Sequence, residues 1–470
     1  MVSQQPRWLT DDRRGYVRLL ASVRDFVDSF ANSSPARLAL FIFTAVILVF
    51  TALLSLPMSA ADGEVTALHD AFFTAVSAVC VTGLTVVSTA AHWSFFGQLV
   101  ILLAIFIGGL GTLTLASLLA LIVSKRLGVR GKLLAQEALN NASRLGEIGT
   151  LLRIVITTSV LIEVVLAAAM IPRFMVLGEP WWLAIWHGVF YSISAFNNAG
   201  FTPHSDGLVP YETDLWILTP IMLGVFLGSL GFPVIMVLVQ VRHHFRKWTL
   251  HAKLTVSVSL ILLVAGTFAW GFLEWENEET IANLSVTDKA IHALFASVMT
   301  RSGGFNLVEQ TDMSTTTMLL TDALMFAGGG SASTAGGIKV TTIAVMFLAI
   351  VAEARGDNDV RAWGRTIPSG AMRVAISVIF MGATLVLVGS ALILSLTDEP
   401  LDKVVFEVIS AFATCGLSTN LSAELPPAGK YVLSALMFAG RMGTITLASA
   451  LALRQRSTLY RYPDERPIIG

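Results

Sequence analysis

Charge is what this sequence has least of. Only 13% of its 470 residues are Asp, Glu, Lys or Arg, against roughly 25% in ordinary soluble domains. That deficit excludes a water-soluble surface over most of the chain. Cysteine is nearly absent as well: Cys80 and Cys415 are the only two, and their separation fits neither a metal motif nor a redox motif. No polar stretch is long enough for a separate soluble domain, so any catalytic or nucleotide-sensing module must come from another chain. No paired acids, metal cluster or nucleophile with its base stands out, which argues against an enzyme. No covalent cofactor and no nucleic-acid partner are expected. The first 37 residues hold no unbroken apolar core of the signal-peptide kind.

What the chain does have is apolar runs from end to end, such as "LALFIFTAVILVFTALLSL" (38–56) and "QLVILLAIFIGGLGTLTLASLLALIV" (98–123). About 20 apolar residues at 1.5 Å each cross the ~30 Å hydrocarbon core. Eight long spans are expected near 38–56, 96–123, 153–172, 215–241, 254–273, 316–352, 374–396 and 430–453. Most of the 31 Lys and Arg fall in the N-terminal segment, in the loops after the second, fourth and sixth spans, and in the C-tail. The opposite side is acidic, as in "EWENEE" (274–279). The positive-inside rule then puts both termini in the cytoplasm of a multi-pass plasma-membrane protein. An acidic outer face would concentrate cations there. "YVRLLASVRDFVDSF" (16–30) has apolar residues at helical spacing and is expected to lie on the lipid surface.

The spans are organised as a fourfold repeat. Four glycine turns recur, "AVCVTGLTVV" (Gly83), "AFNNAGFTPH" (Gly200), "MTRSGGFNLV" (Gly304) and "AFATCGLSTN" (Gly416). Phe73, Phe190 and Phe406 each stand ten residues before their glycine, and Phe295 stands nine before Gly304. A second signature follows each turn: "FIGGLGT", "FLGSLGF", "FAGGGSA" and "FAGRMGT", beginning at Phe106, Phe226, Phe326 and Phe438. The turn glycine and the first glycine of that signature are 25, 28, 24 and 24 residues apart. The resulting division is an N-terminal segment 1–37, repeats at 38–126, 150–247, 252–355 and 371–454, and a C-tail 455–470, both end segments cytoplasmic.

The apolar segments before the turns, such as "DAFFTAVSAVC" and "VVFEVISAFAT", run ~11–13 residues, too short to span. A half-membrane helix returning by an extended loop exposes backbone carbonyls, and such backbone persists only where it is buried or lines a wet path. Glycine permits the reversal. Four such elements about one axis would give a ring of carbonyls able to replace a cation's hydration shell. The plainer reading, glycines that only let helices pack closely, accounts for one turn better than for four in matched context. The fold class expected is therefore all-α integral membrane, with four tandem helix–pore loop–helix repeats forming a pseudo-tetrameric, single-pore channel-like fold.

These residues resemble the Trk/Ktr/HKT superfamily of potassium transporters over about 38–454. "TRSGGFN", "STAGGIK" and "AGRMGT" are most similar to the membrane subunit of bacterial Ktr systems, KtrB. The resemblance implies K⁺ uptake through a filter made by Gly83, Gly200, Gly304 and Gly416. Val81, Thr82, Asn198, Ala199, Ser302, Gly303, Thr414 and Cys415 would add main-chain oxygens. In the third repeat Gly303 and Gly304 compete: the "-GF" match favours Gly304, and the spacing from Ser297 favours Gly303. The resemblance further implies a bacterial inner membrane, a homodimer in contact with membrane lipid, and stimulation by Na⁺. It also implies a KtrA-like cytosolic RCK-type ring that carries the ATP or ADP.

"FAGGGSASTAGGIKVTT" (326–342) looks at first like a phosphate-binding loop. That motif needs a preceding strand and G-x-x-x-x-G-K-[ST]; here Lys339 follows "GGI" and no strand is expected. The family resemblance instead implies an intramembrane gate formed by Gly328, Gly329, Gly330, Ser331, Ala332, Ser333, Thr334, Ala335, Gly336 and Gly337. Arg441 occupies the position of Gly109, Ser229 and Gly329 in the other repeats. A mid-span arginine costs about 2.5–3.5 kcal/mol to insert and should face the bundle interior. There its donors would cap loop carbonyls and its charge would oppose a cation.

Other residues carry weaker signals. Glu163 and Asp322 are intramembrane acids, for transport or for local pairing. Arg301 either braces the third turn from behind or faces the outer mouth. His243, His244 and His251 fit interface anchoring better than metal binding, and His187 reads as a packed histidine. The basic residues Lys125, Arg126, Arg130, Arg242 and Arg361 offer a surface for a cytosolic ring or follow topology alone. The alternatives are a Trk-type or less selective Na⁺/K⁺ conduit and, from a different class, an alternating-access carrier. Carriers of that kind show inverted repeats, whereas these four run parallel.

Overall fold

The computed structural model describes residues 35–111, 148–241 and 244–443. The expected interfacial segment 16–30, Lys125, Arg126, Arg130, Arg242, His243 and the tail 455–470 lie outside the described residues. Four units recur, each a long helix, a short helix, an irregular segment and another helix. The first is α1 (Pro35–Leu54), α2 (Leu68–Cys80) and α3 (Phe95–Gly109). The second is α4 (Ile148–Val176), α5 (Trp181–Phe196), α6 (Leu215–Leu230) and α7 (Phe232–Val241). The third is α8 (Leu250–Glu274), α9 (Val286–Met299), α10 (Thr315–Ala327) and α11 (Val340–Arg355). The fourth is α12 (Ser369–Leu394), α13 (Leu401–Ala413) and α14 (Pro427–Met442).

Local chemistry sets the starts of these helices. Ser94, Thr249, Ser285 and Ser314 each accept a backbone N–H three residues on at 3.2 Å, which caps α3, α8, α9 and α10. Pro180, Pro368, Pro400 and Pro426 precede α5, α12, α13 and α14, where a missing N–H costs nothing.

The segments Arg153–Val176, Leu250–Glu274 and Ser369–Leu394 are long and apolar enough to cross a bilayer, yet only 33%, 22% and 22% of their most apolar windows are buried. Leu161, Ile261, Phe268, Phe272, Phe380 and Leu387 point outward. Apolar faces of this extent need hydrocarbon around them; this is a multi-span membrane fold. The short helices have 13, 16, 14 and 13 residues, or roughly 20–24 Å at 1.5 Å per residue, and stop inside the bundle.

Packing closes a cycle. The third helix of each unit lies on the short helix of the next: α3 on α5, α6 on α9 and α10 on α13, while α14 returns to α2. Lys430 on α14 donates to Asp70 on α2 at 2.6 Å, with both side chains largely shielded. The cores follow the same junctions: Phe73, Val79 and Leu433 form one, Phe190 closing it against the second unit, and Phe196, Val225 and Met299 another.

Two expected spans are interrupted. The span expected at 215–241 bends by 99° between α6 and α7, because Gly231 takes φ +91° and Pro233 follows within the first turn of α7. The span expected at 316–352 is two helices separated by residues 328–339. A two-residue hairpin, β1 (Arg361–Ala362) with β2 (Arg365–Thr366), joins the third unit to the fourth.

Candidate functional site

The short helices end in the same way in three of the four units. Two backbone bonds of a glycine-type helix stop recur: Val81 N–H to Ala78 O with Thr82 N–H to Ser77 O, Asn198 to Ala195 with Ala199 to Ser194, and Thr414 to Ala411 with Cys415 to Ser410. The residue that turns left-handed is not glycine. Val81 has φ +56°, Asn198 +60°, Ser302 +78° and Thr414 +49°. For β-branched Val81 and Thr414 this conformation costs roughly 1–2 kcal/mol, and strain of this kind is maintained by its surroundings and gathers at functional sites. Two residues later each chain reaches a glycine, also at positive φ: Gly83 +94°, Gly200 +70°, Gly304 +75° and Gly416 +94°.

These four glycines face one another's backbones in cyclic order. A Cβ on Gly83 would sit 2.4 Å from Ala199 O, one on Gly200 3.2 Å from Gly303 O, one on Gly304 2.8 Å from Cys415 O, and one on Gly416 2.2 Å from Thr82 O. The carbonyls of Thr82, Ala199, Gly303 and Cys415 therefore each lie against the glycine of a neighbouring unit. Val81, Thr82, Gly83, Asn198, Ala199, Ser302, Gly303, Thr414, Cys415 and Gly416 are buried, and Gly200 and Gly304 are half-buried. Ser302 Oγ donates to Thr414 O at 2.6 Å, which links the third and fourth turns. The hydroxyls of Thr82 and Thr414 have no hydrogen-bond partner among the described residues.

The third unit shows why its glycines compete. Gly304 has the positive φ and Gly303 does not. The Ser77 and Ser410 hydroxyls accept the N–H of Gly83 and Gly416 at 3.1 Å, but the Ser297 hydroxyl donates instead to Leu263 O on α8 at 2.8 Å. With one residue fewer between Phe295 and the glycine, α9 closes differently, Gly303 N–H reaching Met299 O at 2.8 Å. Arg301 is buried behind this turn: it donates to Ser259 O of α8 and stacks 5.8 Å from the Phe226 ring centroid on α6. It braces the turn from behind.

Residues 328–337 form an irregular strap that follows helix α10, not a strand. Its contacts reach three units. On the second-unit side, Gly330 N–H donates to Ser229 O at 2.7 Å, Ala332 O accepts from Phe232 N–H at 3.2 Å, and Thr334 Oγ1 lies 3.0 Å from Asn198 Oδ1. On the fourth-unit side, Gly337 N–H meets Gly440 O at 3.1 Å, and Gly336 has no room for a side chain against Thr414. Gly328 and Gly337 take φ +58° and +61°, and Ala332 takes +55°. Ser331 and Thr341 pair through their hydroxyls at 2.9 Å, and Ser333 donates to Gly330 O at 2.6 Å. Gly329 and Ala335 pack together.

Arg441 is buried and holds this strap to the first unit, one guanidinium nitrogen donating to Thr334 O and another to Gly108 O. Lys339, which sequence reasoning treated only as a mismatch to a phosphate loop, donates to Ala335 O at 2.7 Å and Gly336 O at 3.0 Å. A lysine closing a glycine-rich stretch between apolar runs is the signal that marks it. Of the intramembrane acids, Glu163 accepts from Asn197 Nδ2 at 2.8 Å, and that asparagine fills the space left by Gly109. Asp322 is buried, with Oδ1 unbonded among the described residues. Cys80 and Cys415 are free thiols, both buried.

Similar proteins match along nearly the whole chain. The profile of the TrkH family, described as cation transport protein, matches residues 34–459. The potassium/sodium uptake protein NtpJ of Enterococcus hirae is 34% identical over 447 residues, 93% of this chain and 97% of the relative. Ktr system potassium uptake protein B of Bacillus subtilis is 35% identical over 447 residues, 95% of this chain and 99% of the relative. The crystal structure of the potassium transporter TrkH from Vibrio parahaemolyticus superposes with a TM-score of 0.69 at 17% identity, covering 87% of this chain and 84% of that one. With the family profile and full-length relatives in agreement, the chain belongs to the Trk/Ktr/HKT superfamily of transporters.

Proposed function

We propose that this protein takes up K⁺ through a filter made of the main-chain carbonyls around Gly83, Gly200, Gly304 and Gly416. The observation that carries this reading is the cyclic contact of those four glycines, each against the carbonyl preceding the next unit's glycine. Four convergent carbonyl sets can substitute for the water shell of a monovalent cation. The bundle is then a pseudo-tetramer within one chain, with a single path along the axis. The names of the Ktr relatives, potassium uptake proteins, support K⁺ as the cargo. The name of NtpJ, a potassium/sodium uptake protein, supports a second reading, a conduit that passes both ions.

Residues 328–337 are the gate in this reading, held shut by Arg441 and braced within by Lys339. Their contacts with Asn198 and Thr414 lie beside the ends of the short helices α5 and α13, and the buried guanidinium repels a cation there. The gate opens when Thr334 leaves Arg441 and Gly337 leaves Gly440. Both termini lie in the cytoplasm of a bacterial inner membrane, supported by the distribution of Lys and Arg. Likeness to Ktr subunits supports a homodimer with one path per protomer, Na⁺ as activator, and a cytosolic RCK-type ring that binds the nucleotide.

The test is K⁺ and Na⁺ flux into proteoliposomes under an imposed potential, wild type against Gly304→Ser. A left-handed serine costs about 1–2 kcal/mol, and its Cβ crowds Cys415 O; we expect K⁺-over-Na⁺ discrimination to fall about tenfold. Equal K⁺ and Na⁺ flux in the wild type would favour the unselective conduit. Unchanged discrimination in the variant would remove the glycine ring from the filter.

A further inference from the structure

A cluster of side chains on the second unit stands apart from the glycine ring. Glu179 lies in the turn between α4 and α5, His187 in the second turn of α5, and His204 and Tyr211 in the segment after Gly200. Glu179 reaches both histidines, Oε2 to His187 Nδ1 at 2.8 Å and Oε1 to His204 Nε2 at 3.2 Å. The two imidazole centroids are 4.1 Å apart, and one ligand atom from each of the three residues lies within 4.8 Å of the others. Donor atoms around a four-coordinate zinc, with bonds near 2.0–2.2 Å, stand roughly 3.3 Å apart. The distances from Glu179 to His187 Nδ1 and His204 Nε2, 2.8 and 3.2 Å, lie near that spacing.

Two tyrosine hydroxyls flank His204. The Tyr191 hydroxyl stands 2.9 Å from His204 Nδ1 and 3.2 Å from Gly207 O, a carbonyl to which it can donate. A cation at His204 Nε2 requires the imidazole proton on Nδ1, and there the Tyr191 hydroxyl can accept it while donating to Gly207 O. The Tyr211 hydroxyl is also close, 3.2 Å from His204 Nε2 and 3.4 Å from Glu179 Oε1. The fully buried Phe174 packs against His187, Tyr191, His204 and Tyr211 and fixes all four rings.

We propose that Glu179, His187 and His204 form a binding site for a borderline divalent cation of the Zn²⁺ class, with Tyr211 or water as the fourth ligand. Two imidazoles and one carboxylate suit Zn²⁺, Co²⁺, Ni²⁺ or Cu²⁺, whereas Mg²⁺ and Ca²⁺ call for all-oxygen shells. Tyr191 is a positioning residue: its hydroxyl, 2.9 Å from His204 Nδ1, can accept the proton that a metal-bound Nε2 leaves on the other nitrogen, as outer-shell partners do for metal-bound histidines. The ligands come from both sides of the strained Asn198–Gly200 turn, so a bound ion ties the helix that enters that turn to the segment that leaves it.

The test uses the full-length, tag-free, metal-stripped protein and needs no transport measurement. Zn²⁺ is titrated against a chromophoric chelator, and Co²⁺ is added separately to record its visible spectrum. We expect one Zn²⁺ per chain, the intense bands of four-coordinate Co²⁺, and a raised melting temperature. His204→Gln should abolish all three, and Tyr191→Phe should weaken affinity about tenfold. Absence of stoichiometric Zn²⁺ binding by the wild type would overturn the proposal whatever the variants do. Binding undiminished in a folded His204→Gln, checked by gel filtration, would overturn it equally.

Discussion

At the four turns, glycine sits at φ between +70° and +94° with a neighbouring unit's backbone against it. In the helices that follow, Gly108, Gly228 and Gly440 sit within α3, α6 and α14, and what they supply is space. A Cβ on them would lie 2.0, 2.0 and 1.8 Å from the carbonyl oxygens of Val79, Phe196 and Phe412, at the ends of their own units' short helices. The third unit breaks the second pattern: Gly328 ends α10 at φ +58° and faces Ile338 O instead. The same residue type thus shapes a backbone at one place and lets two helices touch at the other, and only inside the third unit does one role replace the other.

The largest effect expected is at the strap. Arg441→Gln removes charge-assisted hydrogen bonds worth about 1.5–3 kcal/mol each; K⁺ flux without any regulatory partner should rise tenfold or more, with K⁺/Na⁺ discrimination unchanged. Flux at or below that of the wild type in a folded variant would show that the strap is not what limits passage. Next in size, Gly440→Ala should destabilise the protein by about 1–3 kcal/mol through overpacking against Phe412, seen as a lower melting temperature. Discrimination should survive in the protein that folds; a selectivity change without a stability change would erase the distinction between the two sets of glycines.

The smallest effect concerns the second turn alone. His204 faces Glu179, His187, Tyr191, Tyr211 and Asp206. Its pKa is depressed by burial, so the stability it contributes is present above its unfolded value near 6.5 and fades as pH falls through the lower, folded value. With a chelator present, the wild-type melting temperature should drop more between about pH 7 and pH 5 than that of His204→Gln. Parallel pH profiles would show that this network does not set the acid stability of the second unit. Tyr211 shifts oppositely, its hydroxyl pushed up to about 12 by burial and by Glu179, and stays protonated throughout.

The four glycine turns were legible in the sequence because backbone demands force residue choice: a tight reversal needs positive φ, and Gly83, Gly200, Gly304 and Gly416 all take it. The irregular stretch at 328–337 was legible for a similar reason, since Gly, Ser and Thr hold a membrane helix poorly. The bend at Gly231 was missed, although the signatures align it with Gly111 and Gly443, which also take positive φ. Choosing between Gly303 and Gly304 was beyond spacing alone, because Ser297 finds a partner on α8. The partners of Arg441 and the grouping of Glu179, His187 and His204 depend on contacts between distant segments, which periodicity does not encode. His187 reads as a packed histidine, and it is packed, but against a carboxylate and a second imidazole.

The bond between Asp70 and Lys430 joins residues 360 positions apart. On a growing chain, the first short helix emerges long before the helix that will cover its flank. Until α14 is made, α2 presents Asp70 and the apolar edge that meets Leu433 and Met437 with nothing on them. Contacts this distant in sequence form late and slowly. Among the described helices the last one made, α14, completes the first unit, so a chain cut short by one unit keeps two unsatisfied edges.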